Sequence, residues 1–120
     1  MKASSRPHKN LRLWQKAIDF VVQVYEVTKG FPRNEEFGLT SQLRRAAISV
    51  PSNIAEGLTR RTRNDKLHYL NIAQASLSEI DAQLEIARRL GYIDEASFEG
   101  LESSMTDVYM LLSGLIRSLR

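Results

Sequence analysis

The sequence predicts an all-α fold, an antiparallel up-down-up-down four-helix bundle. Three observations carry the prediction. Four segments repeat apolar residues at alternating steps of three and four, the period of a helix face. Capping and breaking residues bracket each segment and leave only short loops, which join antiparallel neighbours. No segment alternates at period two. With 120 residues, 42% of them apolar, the chain can bury one core and is too apolar to stay disordered. It divides into a flexible basic arm, residues 1–10, and a single bundle domain, residues 11–120.

The first helix carries Leu11, Trp14, Ile18, Val21, Tyr25 and Thr28 as its apolar stripe. Asn10 is its expected N-cap, and Gly30 followed by Phe31-Pro32 ends it, glycine supplying a left-handed cap. The second is expected to open near Asn34, with Glu35 and Glu36 favoured by the helix dipole. Its stripe is Leu39, Leu43, Ala46, Val50 and Ile54, and it ends around Gly57. Asn64 or Asp65 opens the third, which carries Leu70, Ala73, Leu77, Ile80, Leu84 and Ala87 and closes at Gly91. The fourth opens near Asp94 and runs through Phe98, Leu101, Met105, Val108, Leu112, Leu115 and Leu119. Such stripes suit helices crossing at roughly +20°.

Pro51 sits inside the second helix. Without an N–H it leaves the Ala47 carbonyl without its helical partner, an interior penalty of about 3 kcal/mol, so the helix is expected to kink or break there. Ala46 and Ala47 leave room, and Ser49, Ser52 and Asn53 can reach freed carbonyls. Arg45, Ser49, Asn53 and Glu56 fall on one face beside the apolar stripe. Polar groups there need partners, for which Gln74, Ser76, Glu79 and Gln83 of the third helix are candidates. An Arg45–Glu79 pair with Ser49 and Asn53 as hydrogen-bond neighbours is the expected arrangement, a device that fixes register or subunit contacts.

The catalytic motifs fail on residue count. His68 is the one helical histidine, and Asp65-x-x-His68 has no twin, so a carboxylate-bridged metal pair is not expected. No spacing brings a serine to His68 with an orienting acid. The glycines are scattered singly, so there is no phosphate loop. The absence of cysteine excludes disulfides and thiolate metal sites and fits a reducing compartment. Residues 1–10 lack the apolar core of a secretory signal, and no apolar run approaches membrane-spanning length. No enzyme activity, cofactor, metal or membrane is expected, and the expected location is the cytoplasm.

The net charge is +3, but residues 1–16 carry +5 and no acid, leaving −2 for the rest. The arm either contacts phosphate or is a solvated terminus. Arg60, Arg61, Arg63 and Lys66 cluster where the second helix gives way to the third, opposed only by Asp65. Bundle geometry starts helices one and three at the same end, so Lys9, Arg12 and Lys16 can join them. Such a patch either binds phosphates without reading sequence or is a solvated loop.

Several segments together resemble a known family. They are Leu13–Ala17 (LWQKA), Phe31-Pro32 followed by Glu36–Leu39 (EFGL), Gln42–Gly57 (QLRRAAISVPSNIAEG), Leu70–Glu79 (LNIAQASLSE) and Leu90–Tyr92 (LGY). The chain is similar over about residues 11–93 to the bacterial four-helix bundle proteins encoded in intervening sequences of 23S rRNA genes, often labelled ribosomal proteins. The resemblance implies a homopentamer with no established enzymatic activity. It also implies kinship with accessory bundle proteins of diversity-generating retroelements, which bind nucleic acid and a reverse transcriptase. Arg44, Arg45, Asn53 and Glu56 match the signature. Ala75 departs from it, because the family usually has glycine there, and a small local shift is expected. The reading is a non-enzymatic oligomer that binds RNA or DNA as an accessory to a nucleic-acid-processing protein. The competing reading is a protein-interaction scaffold.

Overall fold

The computed structural model describes residues 7–120, so Lys2 and Arg6 of the basic arm lie outside the described residues. Four helices follow one another: α1 (Arg12–Thr28), α2 (Leu39–Leu58), α3 (Arg63–Arg89) and α4 (Glu95–Ser118). Short 3-10 turns occupy Pro7–Asn10 and Arg33–Glu35, and there is no strand among the described residues.

Several helix ends depart from expectation. The turn Pro7–Asn10 takes in Asn10, so Leu11 becomes the N-cap of α1, with no side-chain hydrogen bond. At the other end Gly30 is not left-handed; Gly91 is the sole positive-φ residue described. Lys29 is the C-cap of α1, its N–H reaching the Tyr25 carbonyl at 3.2 Å, and the Thr28 hydroxyl donates back to the Val24 carbonyl at 2.8 Å. Helix α2 starts at Leu39, not near Asn34, because Arg33–Glu35 form the separate turn. Glu35 still serves the helix from there: its Oε1 accepts the Leu39 N–H at 3.1 Å, and its Oε2 accepts the Tyr92 hydroxyl at 3.0 Å. Thr62, rather than Asn64 or Asp65, caps α3 and accepts the Asp65 N–H at 3.1 Å. Gly91, at φ 79°, lets the Tyr92 N–H reach the Ala87 carbonyl at 2.9 Å and its own N–H reach that of Arg88 at 3.0 Å. Asp94 caps α4 as expected, accepting the Ser97 N–H at 2.7 Å.

The helices pack as a closed four-membered ring, α1 on α2, α2 on α3, α3 on α4 and α4 on α1. Contacts put the start of one helix beside the end of the next. Trp14 Nε1 donates to the Pro51 carbonyl at 3.2 Å, and Arg44 Nε donates to Thr28 Oγ1 at 2.8 Å. A Cβ on Gly57 would lie 3.1 Å from the Lys66 carbonyl. Gln74 Nε2 donates to Ser113 Oγ at 3.1 Å, and Arg88 Nε to Glu95 at 2.8 Å.

Every residue of the expected α3 stripe is buried. In α1 the core face is the neighbouring row, Leu13, Ala17, Phe20 and Val24. The expected row is displaced onto the flank: Trp14, Ile18 and Val21 are half-buried and Leu11 is exposed. The physical reason is a doubly wide apolar face, of which only one half can point inward. With Ile48, Pro51, Ser52 and Ala55 of α2, the outer half lines an open groove of about 290 Å³. Helix α2 runs unbroken through Pro51, whose side chain is buried.

Candidate nucleic-acid interface

The cross-helix contacts bring the start of α1, the end of α2, the start of α3 and the end of α4 to one end of the bundle. The predicted cations do not all present themselves there in the same way. Arg12, Arg61 and Arg63 are exposed, while Lys9 and Lys66 are half-buried. None of these five has an ion-pair partner among the described residues. Lys9 lies in the Pro7–Asn10 turn, which packs on α1 and α2. The Lys9 carbonyl accepts from Gln15 Nε2 at 2.8 Å, and the His8 ring meets Trp14 edge-on at 5.0 Å.

Two predicted contacts serve the fold instead. Arg60 pairs with Glu56 at 3.0 Å, donates to the Tyr69 hydroxyl at 3.0 Å and lies over that ring at 4.7 Å. This arrangement fastens the α2–α3 corner. Lys16 turns to α4 and meets Asp107 at 3.5 Å, a partly exposed pair worth about 0–1 kcal/mol.

Sequence reasoning missed Arg117 and Arg120. Ser113 stands opposite Gln74. At about 1.5 Å per residue, the last turn of α4 therefore lies level with the first turns of α3. Both arginines are exposed and without an ion-pair partner among the described residues. The signal was present in sequence, two arginines ending an amphipathic segment, but only the ring of helices shows which end they share. Seven unpaired cations thus collect at this end, against Glu56 and Asp65. The opposite end mixes both signs: Glu26, Glu35, Glu36, Asp94, Glu95 and Glu99 lie there with Lys29, Arg33, Arg88 and Arg89, several of them paired. There the Asp94 carboxyl is held below its ordinary value chiefly by the Ser97 backbone N–H, and the Glu85 carboxyl by the Arg89 side chain.

The polar row divides differently from expectation. Ser49 and Ser76 hydroxyls meet at 2.8 Å, and Asn53 Nδ2 donates to the Ser49 carbonyl at 2.8 Å and hydroxyl at 2.9 Å. The Arg45–Glu79 pair does not form: Arg45 is exposed, and Glu79 accepts from Gln83 at 3.0 Å. Arg44, about 100° round the helix, takes the buried role. Its Nη2 donates to the Tyr25 carbonyl at 3.4 Å, and its guanidinium lies 4.4 Å from that ring's centroid. Ala75 is exposed, so its methyl meets solvent and makes no close helix approach. Among the described residues no group of three histidines or acids could hold a metal. No described helix is long and apolar enough to cross a membrane.

The model of the 23S rRNA-intervening sequence proteins matches residues 9–114, nearly the whole chain. The chain belongs to this family. A crystal structure from Bacteroides thetaiotaomicron, of a protein with unknown function from the S23 ribosomal protein family, is similar to it. The TM-score is 0.80 at 28% identity, covering 87% of this chain and 97% of that one. No curated protein is significantly similar to the chain.

Proposed function

We propose that this family member is a non-enzymatic homo-oligomer that binds RNA or DNA through the basic end of its bundle. In this reading it serves a nucleic-acid process in the cytoplasm, alongside a nucleic-acid-processing protein. The observation that carries the reading is the set Lys9, Arg12, Arg61, Arg63, Lys66, Arg117 and Arg120, drawn from α1, α3, α4 and the segments beside them and lacking ion-pair partners among the described residues. Unpaired surface cations release condensed counterions when they meet phosphates, which gives affinity without sequence readout. A homopentamer, the assembly implied by the resemblance, repeats the patch and raises avidity without new contacts.

The test replaces Arg61, Arg63, Arg117 and Arg120 by alanine and leaves Arg60, which supports Tyr69, in place. Binding to a fluorescent single-stranded RNA at low salt is expected to weaken at least tenfold while the circular dichroism is unchanged. Equal affinity in wild type and variant would remove the basis of the reading. The apolar α1–α2 groove favours the second reading, a protein-interaction scaffold, under which wild type binds no nucleic acid at low salt.

A further inference from the structure

The chain carries a knob and a groove that it cannot fit together itself. Phe37 is 91% exposed, an unusual position for a phenylalanine. It projects from an anchored connection, because Glu35, two residues earlier, ties the start of α2 to Tyr92 beyond α3. The groove lies elsewhere, between Trp14, Ile18 and Val21 on one side and Ile48, Pro51 and Ala55 on the other. Ile48 and Pro51 stand nine and twelve residues into the helix from Leu39, about 13 and 18 Å along its axis. Phe37 therefore cannot reach the groove of its own chain.

Charge matches the two features. Glu36, beside the knob, is exposed, and so is Arg45, three residues before Ile48 and on the same helix face. Neither has an ion-pair partner among the described residues. We propose that Phe37 of one copy inserts into the α1–α2 groove of a second copy, with Glu36 against Arg45. The occupant is another copy of this chain because one sequence holds both halves of the contact, the ring with its acid and the groove with its base. This deepens the oligomeric part of the proposed function and rests on it. The contact is heterologous, so each copy offers its knob forward and its groove backward, and a fixed rotation closes a ring. It also assigns Arg45 a task that the monomer does not show.

Phe37→Ser and Ile48→Glu test the contact, with particle mass read by light scattering and the fold by circular dichroism. Phe37 and Ile48 are both exposed, so both variants are expected to fold as wild type does. Wild type is expected to be oligomeric and each variant alone monomeric, with self-affinity reduced roughly 30-fold or more. Mixing the two is the decisive arm. The Phe37→Ser copy keeps a sound groove and the Ile48→Glu copy a sound knob, so the mixture is expected to give a one-to-one dimer and no ring. Glu36→Arg and Arg45→Glu are each expected to weaken assembly, and their combination in one chain to restore it. If wild type and both variants share one oligomeric mass, the oligomer survives and this contact is overturned. A monomeric wild type overturns both and leaves the groove to a partner of another sequence.

Discussion

The hydroxyls of Ser49 and Ser76 meet at 2.8 Å across the α2–α3 interface, two residues before the proline of α2. Asn53 closes the group, donating to both the carbonyl and the hydroxyl of Ser49 one turn earlier. Ser76 is buried, so losing its partner leaves a polar atom without water. Ser49→Ala, which leaves the Ser76 hydroxyl unpaired, is expected to destabilise the protein by about 1–2 kcal/mol in urea unfolding. Ser49→Ala in the Ser76→Ala background is expected to cost less than it does alone, because the bond is already gone. Strict additivity would show that the hydroxyls do not act as a pair.

Gly57 and Gly100 predict opposite signs for the same substitution. A Cβ on Gly57 would meet the Lys66 carbonyl at 3.1 Å and Tyr69 Cβ at 3.2 Å, one of them backbone of a packed helix. Gly57→Ala is therefore expected to destabilise by roughly 1–3 kcal/mol. A Cβ on Gly100 meets nothing within 4 Å, inside α4. Gly100→Ala is expected to stabilise by up to about 1 kcal/mol through helix propensity. Thermal unfolding of the two variants decides both signs.

Arg44 is expected to resist replacement by lysine. Its Nε serves Thr28, its Nη2 serves the Tyr25 carbonyl, and its planar face covers the Tyr25 ring. An ammonium cannot make this set of contacts at once. Arg44→Lys is expected to cost about 1–2 kcal/mol, whereas Arg45→Lys, on the exposed face, leaves monomer stability unchanged. Equal effects at the two positions would contradict their division of roles.

Much of the fold was legible because hydrophobic period decides which face is buried. Leu70 to Ala87 form one narrow stripe on α3, and all six expected residues are in the core. The α1 face was not legible to the residue, since Trp14-Ile18-Val21 and Leu13-Ala17-Phe20 are adjacent apolar rows and period alone does not choose between them. The start of α2 was misread because Glu35 acts on Leu39 from outside the helix, where helix-start rules do not look. At the candidate interface, Arg61, Arg63 and Lys66 were legible as a run in sequence. Arg117 and Arg120 were not, because they join it only through the ring of helices. Choosing Arg44 over Arg45 needs the neighbouring helix.

Two groups at the opposite end of the bundle tie stability to pH. The Asp94 carboxyl is lowered from 3.8, chiefly by the Ser97 backbone N–H that its ionised form accepts. A lowered carboxyl contributes stability above its ordinary value and loses it as pH falls through the lowered one. Asp94→Ala is expected to melt below wild type at neutral pH, with the gap shrinking in that acid range. The Tyr92 hydroxyl is raised from 10.0, chiefly by its hydrogen bond to Glu35. Its contribution is present below that ordinary value and lost as pH rises through the raised one. Tyr92→Phe is expected to lessen the alkaline decline. Parallel pH profiles for wild type and either variant would contradict the assignment.

The most direct test of the basic end as a nucleic-acid interface is the salt dependence of wild-type binding to single-stranded RNA, followed by fluorescence anisotropy. The logarithm of the association constant is expected to fall linearly with the logarithm of salt, at about −0.7 per phosphate engaged. With several of the seven cations in contact, a slope of roughly −3 or steeper is predicted. Absence of binding at low salt, or an affinity that salt leaves unchanged, would contradict the account.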